Sequence, residues 1–123
     1  MALCDALIAH YNRRAEVALL IVEHSYVTPS GRANKKQLGI HDDALAPGLK
    51  RLVEEVRRRG AKIGIQITHA GSNTSAGVLD RLPLAPSAAP HPNSKGEVPQ
   101  ELSTADLDAL KEAFAKKSLT KCG

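Results

Sequence analysis

A chain of 123 residues that is 42% hydrophobic and only 2% aromatic can bury one core, and that core must be built from Leu, Val, Ile and Ala. The formal charge of +4 does not argue for nucleic acid: the Arg57, Arg58 and Arg59 cluster sits where a helix macrodipole attracts cations, and no aromatic residue interleaves with it as a stacking platform. Cys4 and Cys122 lie near opposite ends without CxxC spacing, which argues for reduced thiols in a cytoplasmic protein, and MALCDALIAHYNRR lacks the basic start and long apolar run of a secreted or membrane-inserted segment.

The first element is a helix from Asp5 to about Ala15, with Leu7, Ile8 and Tyr11 on one side and Asp5 as its N-cap. VALLIVEH, residues 17 to 24, follows as a short apolar run, as suits a parallel strand covered on both faces. SYVTPSGRANKKQLGIHDD is punctuated by Pro29, Gly31 and Gly39 and reads as a loop. A second helix spans Asp43 to Arg59, with Leu45, Leu49, Leu52, Val53 and Val56 recurring three and four apart, Asp43 as cap and Gly60 beyond the end. Pro47 falls within or just past its first turn, where proline costs little.

AKIGIQITH is the second buried strand, and from Ala70 to Glu101 the chain shows glycines, prolines and small polar residues without a regular element. The last helix starts at Ser103 or Thr104, with Asp106 answering a Ser103 cap and Leu107, Leu110 and Phe114 on one face. Strands alternating with helices mean right-handed crossovers and a parallel sheet. Both a doubly wound sheet and a piece of a (β/α)8 barrel fit that order. The long polar segments follow the strands, whereas the helix-to-strand links Gly60-Ala61 and Ala15-Glu16 are minimal; that asymmetry favours the barrel, whose active face lies at the C-terminal ends of its strands.

Candidate chemistry gathers at those ends. Gln66 sits inside a buried strand, so its amide must find partners, either neighbouring backbone or a ligand whose edge carries both donors and acceptors, such as a flavin or nucleobase ring. His24 and His69 each close a strand and emerge on the same face. A metallohydrolase reading with Glu23 has no HxH spacing behind it, so no metal site is assigned. GxGxxG and GxxxxGK are absent, and Ser30 and Ser72 have no nucleophile-elbow context.

HYNRRA, LLIVEHSYVTPSGR, QLGIHDD, GLKRLVEEV, GAKIGIQITHAG, LAPSA and PQELST resemble the N-terminal part of the Old Yellow Enzyme family of FMN-dependent NAD(P)H oxidoreductases, and most closely its enoate and dienoyl-CoA reductase-like members. The resemblance runs from about Asp5 to Phe114. It implies a TIM barrel with FMN at its mouth, NADH or NADPH as reductant, and reduction of the activated C=C bond of a small enone or enoyl substrate. The position matching the family's flavin-edge glutamine is Gln66, and the strand end matching VEH places His24 near FMN, where the family often has a small residue. His69 shapes the mouth.

The same comparison implies departures. The chain resembles the first helix through the third helix of the barrel, so residues 1–123 form a single truncated α/β segment with about two parallel strands, three helices and a long loop over 70–102. The paired histidine or histidine-asparagine that binds the substrate carbonyl, the tyrosine proton donor and the phosphate loops have no counterparts, and no catalytic residue is assigned. AEVAL lacks the family's Gly-Gly pair, and Ser72 stands where an arginine is common. The alternative expectation is a non-catalytic fragment that binds no flavin alone and associates through exposed sheet edges, with itself or another chain. Neither nucleic acid nor membrane is an expected partner.

Overall fold

In a computed structural model that describes residues 3–118, the chain runs helix, strand, helix, strand, long connection, helix. Helix α1, Asp5–Asn12, buries Ile8 and Tyr11. It ends before Ala15 because Arg13–Ala15 turn back: the Arg14 and Ala15 amides donate to the Tyr11 and Asn12 carbonyls, and the Arg14 guanidinium donates to the His10 carbonyl at 2.8 Å. The N-cap is Cys4, in extended conformation, with Asp5 already helical and paired with Arg51. A carboxylate in the first turn still complements the helix dipole, but the cap expected at Asp5 is displaced by one residue. Cys4 is a free, exposed thiol, and Cys122 lies outside the described residues.

Strands β1, Leu19–Tyr26, and β2, Lys62–Thr68, pair in parallel, Leu19 opposite Lys62 and Val22 opposite Ile65. They are joined through helix α2, Ala46–Arg58, as the alternation of strand and helix requires. Leu20 and Val22 point into a core formed with Ile8, Tyr11, Ala15, Leu38, Leu52, Val56 and Ala61, and Ile63 and Ile65 pack against it. The other face is open: Leu19 is 56% and Ile21 62% exposed. The expectation that these strands are covered on both faces is therefore corrected. Only the helix-facing side is covered among the described residues, because the inner face of a barrel is covered by the strands across from it.

Asp42, not Asp43, caps the second helix, accepting the Ala44 N–H at 2.9 Å and starting a 3-10 turn over Asp43–Leu45 that leads into α2. Pro47 falls in the first turn, and Gly60 takes the left-handed conformation at φ 92° after the end. The stretch from Ala70 to Glu101 is less irregular than its composition suggests. It holds a one-turn helix α3, Ala76–Leu79, and strand β3, Leu84–Ala85, which pairs in parallel with β4, Gln100–Glu101. Two-residue ladders carry no readable alternation, which is why the sequence hides them.

Helix α4, Thr104–Ser118, starts from the expected cap: Ser103 Oγ accepts the Asp106 N–H at 3.1 Å while Asp106 Oδ2 accepts the Ser103 N–H at 2.9 Å. These bonds from Ser103 hold the Asp106 carboxyl below its usual value. α4 buries no residue fully, and Leu107 on its apolar face is 45% exposed. The Lys117 ammonium reaches Asp43 at 3.3 Å, and between α2, α4 and β2 there remains an apolar cleft of ≈ 520 Å³ walled by Leu49, Leu52, Val53, Ile63 and Ile65. Among the described residues no helix is long and apolar enough to cross a membrane.

Candidate functional site at the strand ends

The pairing of β1 with β2 breaks once. Val22 faces Ile65 and Ser25 faces Ile67, so Glu23 and His24 on β1 together oppose the single residue Gln66 on β2. This is a β-bulge, a device that re-aims side chains and often stands beside binding sites. Sequence reasoning singled out Gln66 and His24 separately; the bulge sets them across from each other. Gln66 does not point into the helix-packed core. It alternates with Ile63 and Ile65, shares the open face with Gly64 and Ile21, and is exposed. A Cβ added at Gly64 would meet nothing within 4 Å, so the space in front of this part of the strand is clear.

Glu23 is turned the other way. Its carboxylate accepts the Tyr11 hydroxyl at 3.1 Å and its N–H donates to the same oxygen at 2.9 Å. Burial pushes the Tyr11 phenol above its ordinary value, against the bond from the Glu23 N–H, which lowers it. His24 remains on the exposed side, and its ring is met by a residue to which the sequence assigns no role, Gln37, whose Nε2 lies 2.9 Å from His24 Nδ1. Gln37 is only 2% exposed. An amide between Lys35-Lys36 and Leu38, in a loop where composition predicts solvated polar groups, carries no mark of this burial.

The loops after the two strands are laced together. The Gly71 N–H donates to His69 Nδ1 at 3.0 Å, which leaves Nε2–H to face Ser30 Oγ at 3.4 Å, and Ser30 Oγ meets Thr28 Oγ1 at 2.9 Å. Burial lowers the His69 imidazole below its ordinary value, so the ring is held neutral as a strut between loops. Thr74 Oγ1 donates to the Arg32 carbonyl at 2.8 Å, and the Arg32 guanidinium donates to the Val78 carbonyl. On the outer side of β1 the Tyr26 N–H donates to the Leu38 carbonyl and its carbonyl accepts from Ile40, while its ring stacks on His41 at 5.0 Å. His24 and His69 are thus engaged by two different residues of the loop after β1, Gln37 and Ser30. Among the described residues no group of three or more His, Cys, Asp or Glu gathers to hold a metal.

A polar cleft of ≈ 310 Å³ lies among these loops, walled by Thr74, Ser75, His91, Asn93 and Lys95. Neither it nor the apolar cleft is lined by Gln66 or His24, which stand on the open sheet face. What that face offers is a carboxamide with donor and acceptor, an imidazole beside it, and a flat stretch at Gly64. Such a set fits the edge and plane of a heteroaromatic ring better than a metal or a phosphate.

The model of the NADH:flavin oxidoreductase / NADH oxidase family matches residues 2–122. Among curated proteins, the NADPH dehydrogenase of Geobacillus thermodenitrificans is 43% identical over 108 residues, covering 85% of this chain and 30% of the relative. That of Clostridium acetobutylicum is 39% identical over 124 residues, covering 97% and 35%. Among solved structures, a morphinone reductase variant in complex with tetrahydroNAD superposes with a TM-score of 0.85 at 25% identity, covering 94% of this chain and 37% of that one. An old yellow enzyme homologue from Zymomonas mobilis gives 0.83 at 22% identity, covering 94% and 35%. The chain spans about a third of the length of the relatives it matches.

Proposed function

Because this chain belongs to the NADH:flavin oxidoreductase / NADH oxidase family, we propose that it forms part of an FMN-dependent NAD(P)H oxidoreductase that reduces activated C=C bonds of small enone or enoyl substrates. The observation that carries the reading is the pairing of Gln66 with the His24 bulge on the open face of a parallel sheet. Gln66 would hold the pyrimidine edge of the flavin, donating and accepting at once; His24 would stand beside the ring, and Ile21 and Gly64 would lie along its plane. FMN supplies hydride chemistry when bound; Gln66 and His24 would bind and orient it.

The test is a titration of the purified 123-residue chain with FMN, followed by flavin fluorescence and by NAD(P)H oxidation with an enone acceptor. The chain alone is expected to bind FMN weakly, because the open face supplies an edge and a plane without a cradle for the phosphate. In a full barrel carrying this segment, replacement of Gln66 should weaken the flavin. Unchanged flavin affinity there would overturn the reading.

One observation favours a second reading for the chain by itself. Leu19 and Ile21 are more than half exposed on the open face, Val17 is 50% exposed beside them, and among the described residues β2 has only β1 as a neighbour in its sheet. A non-catalytic segment that associates through these edges would show mass rising with concentration and no flavin absorbance.

A further inference from the structure

Gln37 is a buried amide whose orientation is dictated by its neighbours. The Ala33 N–H donates to Oε1 at 2.6 Å, so that end must be oxygen. The other end lies 3.2 Å from the His24 carbonyl, which only the amide nitrogen can satisfy. The same nitrogen is 2.9 Å from His24 Nδ1 and 3.4 Å from Thr68 Oγ1. An amide NH2 has two hydrogens and no lone pair to offer, so its two nearest acceptors, Nδ1 and the His24 carbonyl, receive them. A neutral imidazole that accepts at Nδ1 carries its proton at Nε2.

We propose that Gln37 is a positioning residue that holds His24 as the Nε2–H tautomer, so that the bulge opposite Gln66 presents an outward hydrogen-bond donor. The group that binds there is then one that turns an acceptor, a carbonyl oxygen or an unprotonated ring nitrogen, towards His24. This last clause rests on the functional reading above; the tautomer does not. The same amide, through Ala33 and His24, ties the bulged part of β1 to the loop that follows it, which fixes the bulge as well as the ring.

The experiment is a two-bond proton–nitrogen correlation spectrum of the uniformly ¹⁵N-labelled 123-residue chain near pH 8, with the His24 ring assigned by its loss in His24→Gln. The expected pattern is a single Nε2–H tautomer. In Gln37→Glu an acceptor replaces the donor, and the His24 proton should move to Nδ1; in Gln37→Met, close in volume, the ring should relax to the mixture of a free imidazole. A wild-type Nδ1–H ring, a wild-type mixture, or a Gln37→Met spectrum identical to wild type each overturns the assignment, and the wild-type and Gln37→Met spectra decide it should Gln37→Glu fail to fold. Addition of FMN separates the two claims. A shift of the His24 Nε2 resonance supports the acceptor clause, a bound flavin that leaves it unmoved overturns that clause, and a fixed tautomer with no flavin bound by a full barrel carrying this segment overturns the functional reading alone.

Discussion

The imidazole of His69 lies directly over Gly31. A Cβ built on Gly31 would stand 2.4 Å from His69 Cδ2 and 3.0 Å from the His69 Cα, while the Ala70 N–H donates to the Gly31 carbonyl at 2.9 Å. The loop after β1 and the end of β2 therefore meet backbone against ring, with no room for a side chain. Gly31→Ala should destabilise the chain by about 1–3 kcal/mol, the usual cost of overpacking a close contact. Gly64→Ala, which meets nothing within 4 Å, should change stability by much less. Urea midpoints of the two variants, compared with the parent, check the contrast.

Acid should loosen the same junction. Burial lowers the His69 imidazole below its ordinary 6.5, and burial, only partly opposed by Asp42, lowers His41 in the same direction. A group whose folded value is depressed contributes stability that is fully present above 6.5 and is lost as pH falls through the folded value. Protonating His69 Nδ1 would also set it against the Gly71 N–H that it now accepts. Urea midpoints should be level from pH 8 to about 6.5 and fall below that, and His69→Gln should flatten part of the fall. A midpoint that rises on acidification would contradict the sign.

How far the sequence disclosed this arrangement depended on the length of each pattern. α2 repeats its apolar residues over three turns and β2 alternates over seven residues, so their existence, order and parallel pairing were legible, as was the Ser103–Asp106 cap. The bulge at Glu23–His24 was not, because an extra residue in one strand shows only against its partner's register. β3 and β4 were not, because two residues hold no period. Gln66 could be singled out as an amide inside an apolar run. Gln37 could not, because a polar residue in a polar loop carries no sign of being buried; its burial shows only once the loop is folded, with its amide bonded to Ala33 and His24 and the next residues, Leu38 and Ile40, paired with Tyr26.

Asp42 and Asp43 offer a direct comparison of two adjacent carboxylates. Asp42 accepts the Ala44 N–H at 2.9 Å as the N-cap of the turn that starts α2, whereas Asp43, its side chain 82% exposed, meets at 3.3 Å the ammonium of Lys117, whose side chain is 8% exposed. Loss of a cap costs about 1 kcal/mol, and an ion pair whose carboxylate stands in water contributes a few tenths. Asp42→Ala should therefore lower the melting temperature measurably more than Asp43→Ala. Equal effects would place the cap elsewhere.

Gln66→Ala separates binding from folding. The side chain is exposed and lies outside the core cluster, so its removal should leave the urea midpoint within about 0.5 kcal/mol of the parent. In a full barrel carrying this segment the same change should weaken FMN at least several-fold, since a buried ring edge would lose both a donor and an acceptor and each such bond contributes about 0.5–1.5 kcal/mol. Fluorescence titration measures the second effect and denaturation the first. A variant that unfolds readily while holding FMN normally would assign Gln66 a structural role.

Ile21→Lys tests what the open face does when the chain stands alone. Ile21 is 62% exposed, Leu19 56% and Val17 50%, and these side chains lie on or beside the side of β1 that no helix covers among the described residues. Removing such a side chain from water gains on the order of 1.5–3 kcal/mol, so two chains meeting face to face, or edge to edge beside β2, would both gain. A charge at position 21 should oppose that contact without entering the core, because Leu20 and Val22 supply the helix-facing packing. Sedimentation of the parent should therefore show mass rising with concentration, and Ile21→Lys should return it towards a single chain with an unchanged circular dichroism spectrum. A parent that stays monomeric at every concentration would mean that these exposed side chains are not a self-association surface.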